Sequence, residues 1–217
     1  MHYFIGDIHG HADKLQSLLS KLDLTNQDTL IFLGDYIDRG PQVKESLELL
    51  MSLPNSIFLR GNHEQWMLGL MDGVHGVDDQ ILVSFNDWLS YGGIDTVSQL
   101  GRSVDVKYIN FISKTCSFVE GDKFIAAHAG VSFKDPKSSS SHQLYMSRNC
   151  APSLRYKKTF INGHTPTHIK EINKQAGKVY KGRDNHITID NGVYVDKPGF
   201  GNIVAFCLET AQILVSD

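Results

Sequence analysis

Residues Phe4–Gly10 (FIGDIHG), Ile31–Gly40 (IFLGDYIDRG) and Ile57–Glu64 (IFLRGNHE) each pass from a short apolar run directly into carboxylate, imidazole or amide side chains. Phe124–Gly130 (FIAAHAG) and Phe160–Pro166 (FINGHTP) repeat the arrangement. Short continuous apolar runs bounded by glycine read as buried strands, so the polar residues fall where a strand ends and a loop begins. In an open α/β sheet that is where sites are assembled. After a first strand at Tyr3–Ile5, Leu15, Leu18, Leu19 and Leu22 recur at helical spacing, and Thr29–Leu33 reads as a second strand, which makes a β-α-β unit. A helix starting near Pro41 carries Val43, Leu47 and Leu50 inward and leads to a third strand, Ser56–Leu59. A parallel sheet is expected.

The second half is richer in short strands: Phe118–Val119, Lys123–Ala127, Thr159–Ile161, His186–Ile189, Asn202–Leu208 and Gln212–Val215. They predict a second, more mixed sheet packed on the first, so the fold class is α/β with two packed mixed β-sheets flanked by helices. A helical insert is expected over about residues 65–100, helical at Trp66–Met71 and Ile81–Trp88, broken by Gly73, Gly76, Gly92 and Gly93, and capping one side of the site. Lys134–His142, with four consecutive serines, is the candidate for a mobile loop.

With 217 residues and 41 % hydrophobic content, residues 1–217 are expected to form a single domain with a substantial core. A formal charge of −3 gives no broad cationic surface and argues against nucleic acid as a partner. Cys116, Cys150 and Cys207 are widely spaced and odd in number, which argues against a disulfide framework and fits a reducing cytoplasm. No basic and apolar leader precedes the first strand and no apolar stretch reaches membrane-spanning length, so a cytoplasmic protein without membrane association is expected.

Divalent ions need carboxylate, imidazole and amide-oxygen donors, and the strand ends supply Asp7, His9, Asp35, Asn62, His128 and His164, enough for two ions. Taken alone, Asp7-Ile8-His9 is more often a turn or a helix cap; its company makes it a ligand pair. The two oxygens of Asp35 could join both ions at the separation of about 3.5–4 Å used in two-metal hydrolysis. His63 sits beside Asn62 without needing to bind metal, and Asp38 could orient its imidazolium and raise its proton affinity, so this pair is the candidate general acid. Arg39 and Arg60 flank the metal motifs and Arg148 follows later; planar guanidinium groups match phosphate oxygens, and these three are the candidate phosphate clamps.

The ordered set D-x-H, G-D-x-x-D-R-G, G-N-H-E, an isolated His in an apolar strand, and G-H-T-P resembles the calcineurin-like metallophosphoesterases, from Gly6 to about Gly192. Within them the chain is similar to the phosphoprotein phosphatases, particularly their compact bacterial and phage branch. The resemblance implies that Asp7, His9 and Asp35 bind one ion and Asp35, Asn62, His128 and His164 the other. It also implies His63 with Asp38 as the acid pair and Arg39, Arg60 and Arg148 as phosphate ligands. Around Arg148 the usual tryptophan is replaced by Tyr145 and Met146. The ions implied are manganese first, with iron and zinc as alternatives.

The reading is a metal-dependent phosphomonoesterase, expected to be a protein serine/threonine phosphatase that hydrolyses by direct attack of a hydroxide held between the two ions. Its expected partner is a phosphoprotein or phosphopeptide, because the chain has no Gly-rich dinucleotide fingerprint and the serine-rich loop leaves an open approach. The alternative within enzymes is a hydrolase of dinucleotide polyphosphates, of the diadenosine tetraphosphate type, or of another small phosphoester. A non-catalytic metal-binding scaffold is a third reading, disfavoured because every ligand and the acid pair are present. Oligomeric state is left open.

Overall fold

Strict alternation along the strands separates two apolar cores. On β1 (His2–Ile5), Tyr3 and Ile5 enter one cluster and Phe4 the other; on β2 (Thr29–Phe32), Leu30 and Phe32 face the first and Ile31 the second. The period of two follows from the pleat and puts both faces of these strands out of water. The computed structural model describes residues 1–71, 83–101, 103–132, 135–148 and 157–217.

The first sheet has the order β3-β2-β1-β8-β9, with β3 at Ser56–Phe58, β8 at Val204–Cys207 and β9 at Ile213–Val215. β1, β2 and β3 are parallel, while β8 and β9 pair antiparallel. The second sheet runs β4-β5-β6-β7, at Phe118–Glu120, Phe124–Ala127, Thr159–Asn162 and His186–Thr188, with β5, β6 and β7 parallel and β4 antiparallel. This is the expected α/β arrangement of two mixed sheets. Phe4, Ile31, Val204 and Phe206 from the first sheet and Phe124, Ala126 and Ile161 from the second share one cluster between the sheets. The outer face of the first sheet packs on α1 (Ala12–Ser20) and α2 (Val43–Ser52), which bury Leu15, Leu18, Leu47 and Leu50 at helical spacing.

Helix α3 (Asn62–Gly69) opens the insert, followed by α4 (Phe85–Trp88), a π-helical turn at Leu89–Gly93 and α5 (Ile94–Leu100). Gly73, Gly76 and Ile81 of the expected insert, and Cys150, lie outside the described residues. The sequence reading assigns no helix to α6 (Val106–Ser113) or α8 (Ile169–Tyr180); the structure has both. The serine run is also different from expectation. Ser140 caps α7 (Ser141–Met146), accepting from the Gln143 N–H at 3.2 Å while the Gln143 side chain accepts from the Ser140 N–H at 3.0 Å. A capping box converts what composition reads as a linker into the start of a helix; Lys134 of that stretch lies outside the described residues. Among the described residues no helix is long and apolar enough to cross a membrane.

Six parallel strands thus end at the motif-bearing loops, three from each sheet. Phe206, fully buried between the sheets, anchors this sandwich. Phe206→Ala is expected to lower stability by about 3–5 kcal/mol, read as a fall in the urea midpoint at constant slope. A loss under about 1 kcal/mol would show that the sheets do not depend on this contact.

Candidate metal centre

The six parallel strands bring their polar segments to one edge, where those after β1, β2, β3, β6 and β7 line a pocket of about 300 Å³. Asp7 and His9 follow β1, Asp35 to Arg39 follow β2, and Asn62 and His63 begin α3 just after β3. His128, His164 and Asp190 follow β5, β6 and β7. Close packing at this edge demands unusual backbone: His9, Asp35, Asp38, Arg39 and His164 all have φ between 43° and 70°. Such left-handed conformations are costly for non-glycine residues and persist only where surrounding bonds hold them.

Glu64 supplies much of that hold. Its side chain is fully buried, with Oε2 accepting from the N–H groups of Asp35 (2.8 Å) and Gly61 (2.9 Å). Oε1 accepts from those of Tyr36 (2.7 Å) and Ile37 (3.3 Å). One carboxylate therefore fastens the loop after β2 to the loop after β3. Gly61 is required at this junction, since a Cβ there would lie 2.0 Å from Asp35 Oδ1.

Donor atoms converge in two buried triads that share Asp35: His9, Asp35 and His63, and Asp35, His128 and His164, each within 4.8 Å. The carboxylate divides between them, Oδ2 lying 3.4 Å from His9 Nε2 and Oδ1 3.4 Å from His128 Nε2. The second triad is joined by Asn62, whose Oδ1 is 3.0 Å from both His128 Nε2 and His164 Nδ1. Asp7 stands apart from both triads, its two oxygens each accepting from the His164 N–H at 3.2 Å.

The chemistry of this donor set fits cations. His9 Nδ1 lies 2.9 Å from Ile37 O, His128 Nδ1 2.8 Å from Leu33 O, and His164 Nε2 3.2 Å from Met146 O. A ring nitrogen facing a carbonyl must carry the proton, so the opposite nitrogen presents a lone pair to the centre. His128 Nε2 and His164 Nδ1 then meet lone pair to lone pair at 3.2 Å, an arrangement that only a cation between them relieves. Burial pushes His9 and His128 below the ordinary imidazole range and His164 down to about 3, which keeps them neutral as ligands must be. Burial would raise Asp35, but the surrounding imidazoles outweigh it and hold its carboxyl well below the usual range. Two buried His/Asp triads sharing one carboxylate are consistent with a dinuclear metal site.

His63 donates from Nδ1 to Asp38 Oδ2 at 2.6 Å. Asp38 is fully buried and also accepts from Trp88 Nε1 (2.8 Å) and Thr96 Oγ1 (2.5 Å), which fix the position of its carboxylate. Burial would lower His63, yet Asp35 and Asp38 together raise it above the ordinary imidazole value. Arg39 reaches the same pocket, with Nη2 3.1 Å from His63 Nε2 and its guanidinium 4.1 Å from the Tyr194 ring centroid. Arg148 also lines the pocket.

Arg60 does not join them, which corrects its assignment as a phosphate clamp. It is buried, donating to Thr115 Oγ1 (3.2 Å), Gln65 Oε1 (3.1 Å) and Ser113 O (2.9 Å), so its guanidinium joins α3 to the segment after α6. Asp190 is the buried carboxylate that motif reading missed: it lines the pocket, and burial raises it. It stands at a strand end like the other donors, but β7 (His-Ile-Thr) alternates polar and apolar residues and lacks the continuous apolar run that marks them.

Two consequences follow from these bonds. A general acid must be protonated, so activity should fall as pH rises through the His63 pKa. Asp38→Asn removes a raising influence, and the alkaline limb of the kcat/KM profile is expected to move to lower pH with metal content unchanged. An unmoved limb would remove Asp38 from control of His63. Glu64→Gln leaves backbone donors facing an amide NH2 and is expected to destabilise by about 1–3 kcal/mol for each N–H left unpaired. Thermal denaturation and metal retention after gel filtration check this, and a variant equal to wild type in both would refute it.

A symmetrical bis(5′-nucleosyl)-tetraphosphatase of Enterobacter sp. (strain 638) is 32 % identical over 134 residues, which is 59 % of this chain and 43 % of that protein. The chain spans less than half the length of such curated relatives (43 % and 44 % in two cases). Among solved structures, a protein provisionally named a diadenosine tetraphosphatase superposes with a TM-score of 0.69 at 19 % identity, covering 99 % of this chain and 91 % of that one. A protein serine/threonine phosphatase of Saccharomyces cerevisiae gives 0.56 at 15 % identity, covering 100 % and 79 %. These last two likenesses establish the fold. The pattern that defines the calcineurin-like phosphoesterases matches residues 3–193, and the chain belongs to that family.

Proposed function

We propose that this chain hydrolyses dinucleoside polyphosphates, cutting a four-phosphate chain at its centre to give two nucleoside diphosphates. The observation that carries the reading is its similarity to symmetrical bis(5′-nucleosyl)-tetraphosphatases at up to 32 % identity over more than half of its own length. The grounds for a phosphoprotein substrate have weakened. The serine-rich stretch is a capped helix start rather than an open loop, and Trp66, Tyr91 and Met146 wall the pocket where a shallow approach was expected.

Two divalent ions, held by His9, Asp35, His128, His164 and Asn62 with Asp7 at the edge of the first site, would when bound activate water and neutralise phosphate charge. Manganese, iron and zinc all suit these donors. Arg39 and Arg148, which both line the pocket, would orient the phosphoryl oxygens for in-line attack. His63, held by Asp38, donates a proton to the departing oxygen. When that oxygen belongs to a phosphate, whose second pKa is about 6, little protonation is needed. When it belongs to a serine side chain, protonation is essential.

The test is a side-by-side assay with manganese supplied. Diadenosine tetraphosphate is expected to be cleaved to ADP alone, with kcat/KM at least about tenfold above that for phosphoserine peptides, or ~1.4 kcal/mol of discrimination. The reverse order, or AMP and ATP as products, would overturn the substrate assignment. His63→Asn is expected to reduce turnover of a phosphoserine peptide far more than that of diadenosine tetraphosphate; equal losses would remove the acid role.

A further inference from the structure

We propose that Tyr91 is a stacking platform for a nucleobase at the rim of the pocket, so that the helical insert, rather than the metal motifs, selects the organic part of the substrate. This rests on the dinucleotide reading of the same site.

Three aromatic rings lead outward from the acid pair. The His63 ring packs on Trp66 with centroids 4.7 Å apart, and Trp66 packs on Tyr91 at 5.2 Å with ring planes tilted by 32°. The inner members are covered, Trp66 being only 6 % exposed, but Tyr91 exposes 47 % of its surface and lines the pocket. A ring serving only to cover Trp66 would itself gain by burial, whereas this one keeps a large apolar face in water beside the site.

The position of Tyr91 is also tied to the phosphate-binding end. Its carbonyl accepts from Arg39 Nε at 3.3 Å, and the next carbonyl, of Gly92, accepts from the Arg39 N–H at 3.1 Å. Gly92 has φ 109°, and a Cβ there would lie 2.5 Å from Arg39 Cγ, so the turn sits directly on this arginine. The guanidinium that faces His63 and the ring at the rim are therefore held by one turn at a fixed offset. A ligand with a phosphate at Arg39 and a flat apolar group further out matches both, and a nucleotide has that form. Stacking on an aromatic side chain tolerates any base, because every base has a π-face.

The experiment uses the full chain loaded with manganese and calorimetric binding of AMP against ribose 5-phosphate, which share the phosphate and sugar and differ only in the base. Wild type is expected to bind AMP about tenfold more tightly than ribose 5-phosphate. Tyr91→Leu, which keeps bulk over Trp66 but loses the ring, and Tyr91→Ala should both bring the two affinities together, while Tyr91→Phe should restore the difference. A wild-type ratio near one would overturn the proposal. So would variants that weaken both ligands equally, the result if Tyr91 acts only by supporting Arg39, or a loss as large for free phosphotyrosine as for AMP. Binding is read without turnover, so a protein that fails to cleave dinucleoside polyphosphates overturns the proposed function while this ratio still decides the role of Tyr91.

Discussion

A single buried carboxylate, that of Glu64, accepts four backbone N–H groups from two loops that the chain brings together from β2 and β3. Asp35 can stand between two imidazole pairs only with its backbone at φ 53°, and the Glu64 bond to its N–H pins it there. Leaving those donors unpaired in a dry interior would cost far more than each bond contributes in a solvated loop. The bonds thus hold backbone strain at the one carboxylate whose oxygens face both triads. Gly61 belongs to the same constraint, because only a residue without Cβ lets the two loops approach this closely.

Around that frame the charges are arranged in opposition. Asp7, Asp35 and Asp190 are buried together; burial raises Asp7 and Asp190, and the Asp35 carboxylate raises both further. The imidazoles answer on the other side, held neutral by burial and fixed by backbone carbonyls. Neither half is at ease without positive charge in the middle. Buried carboxylates and oriented neutral imidazoles favour a bound cation, and its binding would add to the stability of the fold.

Much of this could be read from the chain. Strands such as Ile31–Leu33 and Phe124–Ala127 are legible because they are buried on both faces and therefore continuously apolar. Asp7, His9, Asp35, Asn62, His128 and His164 stand out because each follows such a run. Arg60 shows the limit, since adjacency to Gly61 says nothing about the direction of its side chain, which leads to Gln65 and Thr115 instead. Glu64 is visible in GNHE, but its partners at Asp35 to Ile37 are fixed only by the packing of β2 against β3. Asp38 is anchored by Trp88 and Thr96, 50 and 58 residues away, and no local pattern carries such a bond. The helices α6 and α8 were readable from spacing, as Tyr108 with Ile112 and Ile172 with Ala176 recur at i, i+4.

The insert therefore has two duties that cannot be varied independently. Trp88 and Thr96 fix the Asp38 carboxylate that faces His63, while Tyr91 and Gly92, between them in sequence, set Arg39 and the pocket rim. A change that re-aims the rim for another leaving group also displaces the residues that hold Asp38. Asp38 and Arg39 lie on the same loop as Asp35, so the insert also bears on the loop after β2, which Glu64 fastens to the loop after β3. The candidate metal donors, Asp38 and His63 thus come from the strand ends, and the insert contributes the side chains and carbonyls that hold Asp38 and Arg39 in place.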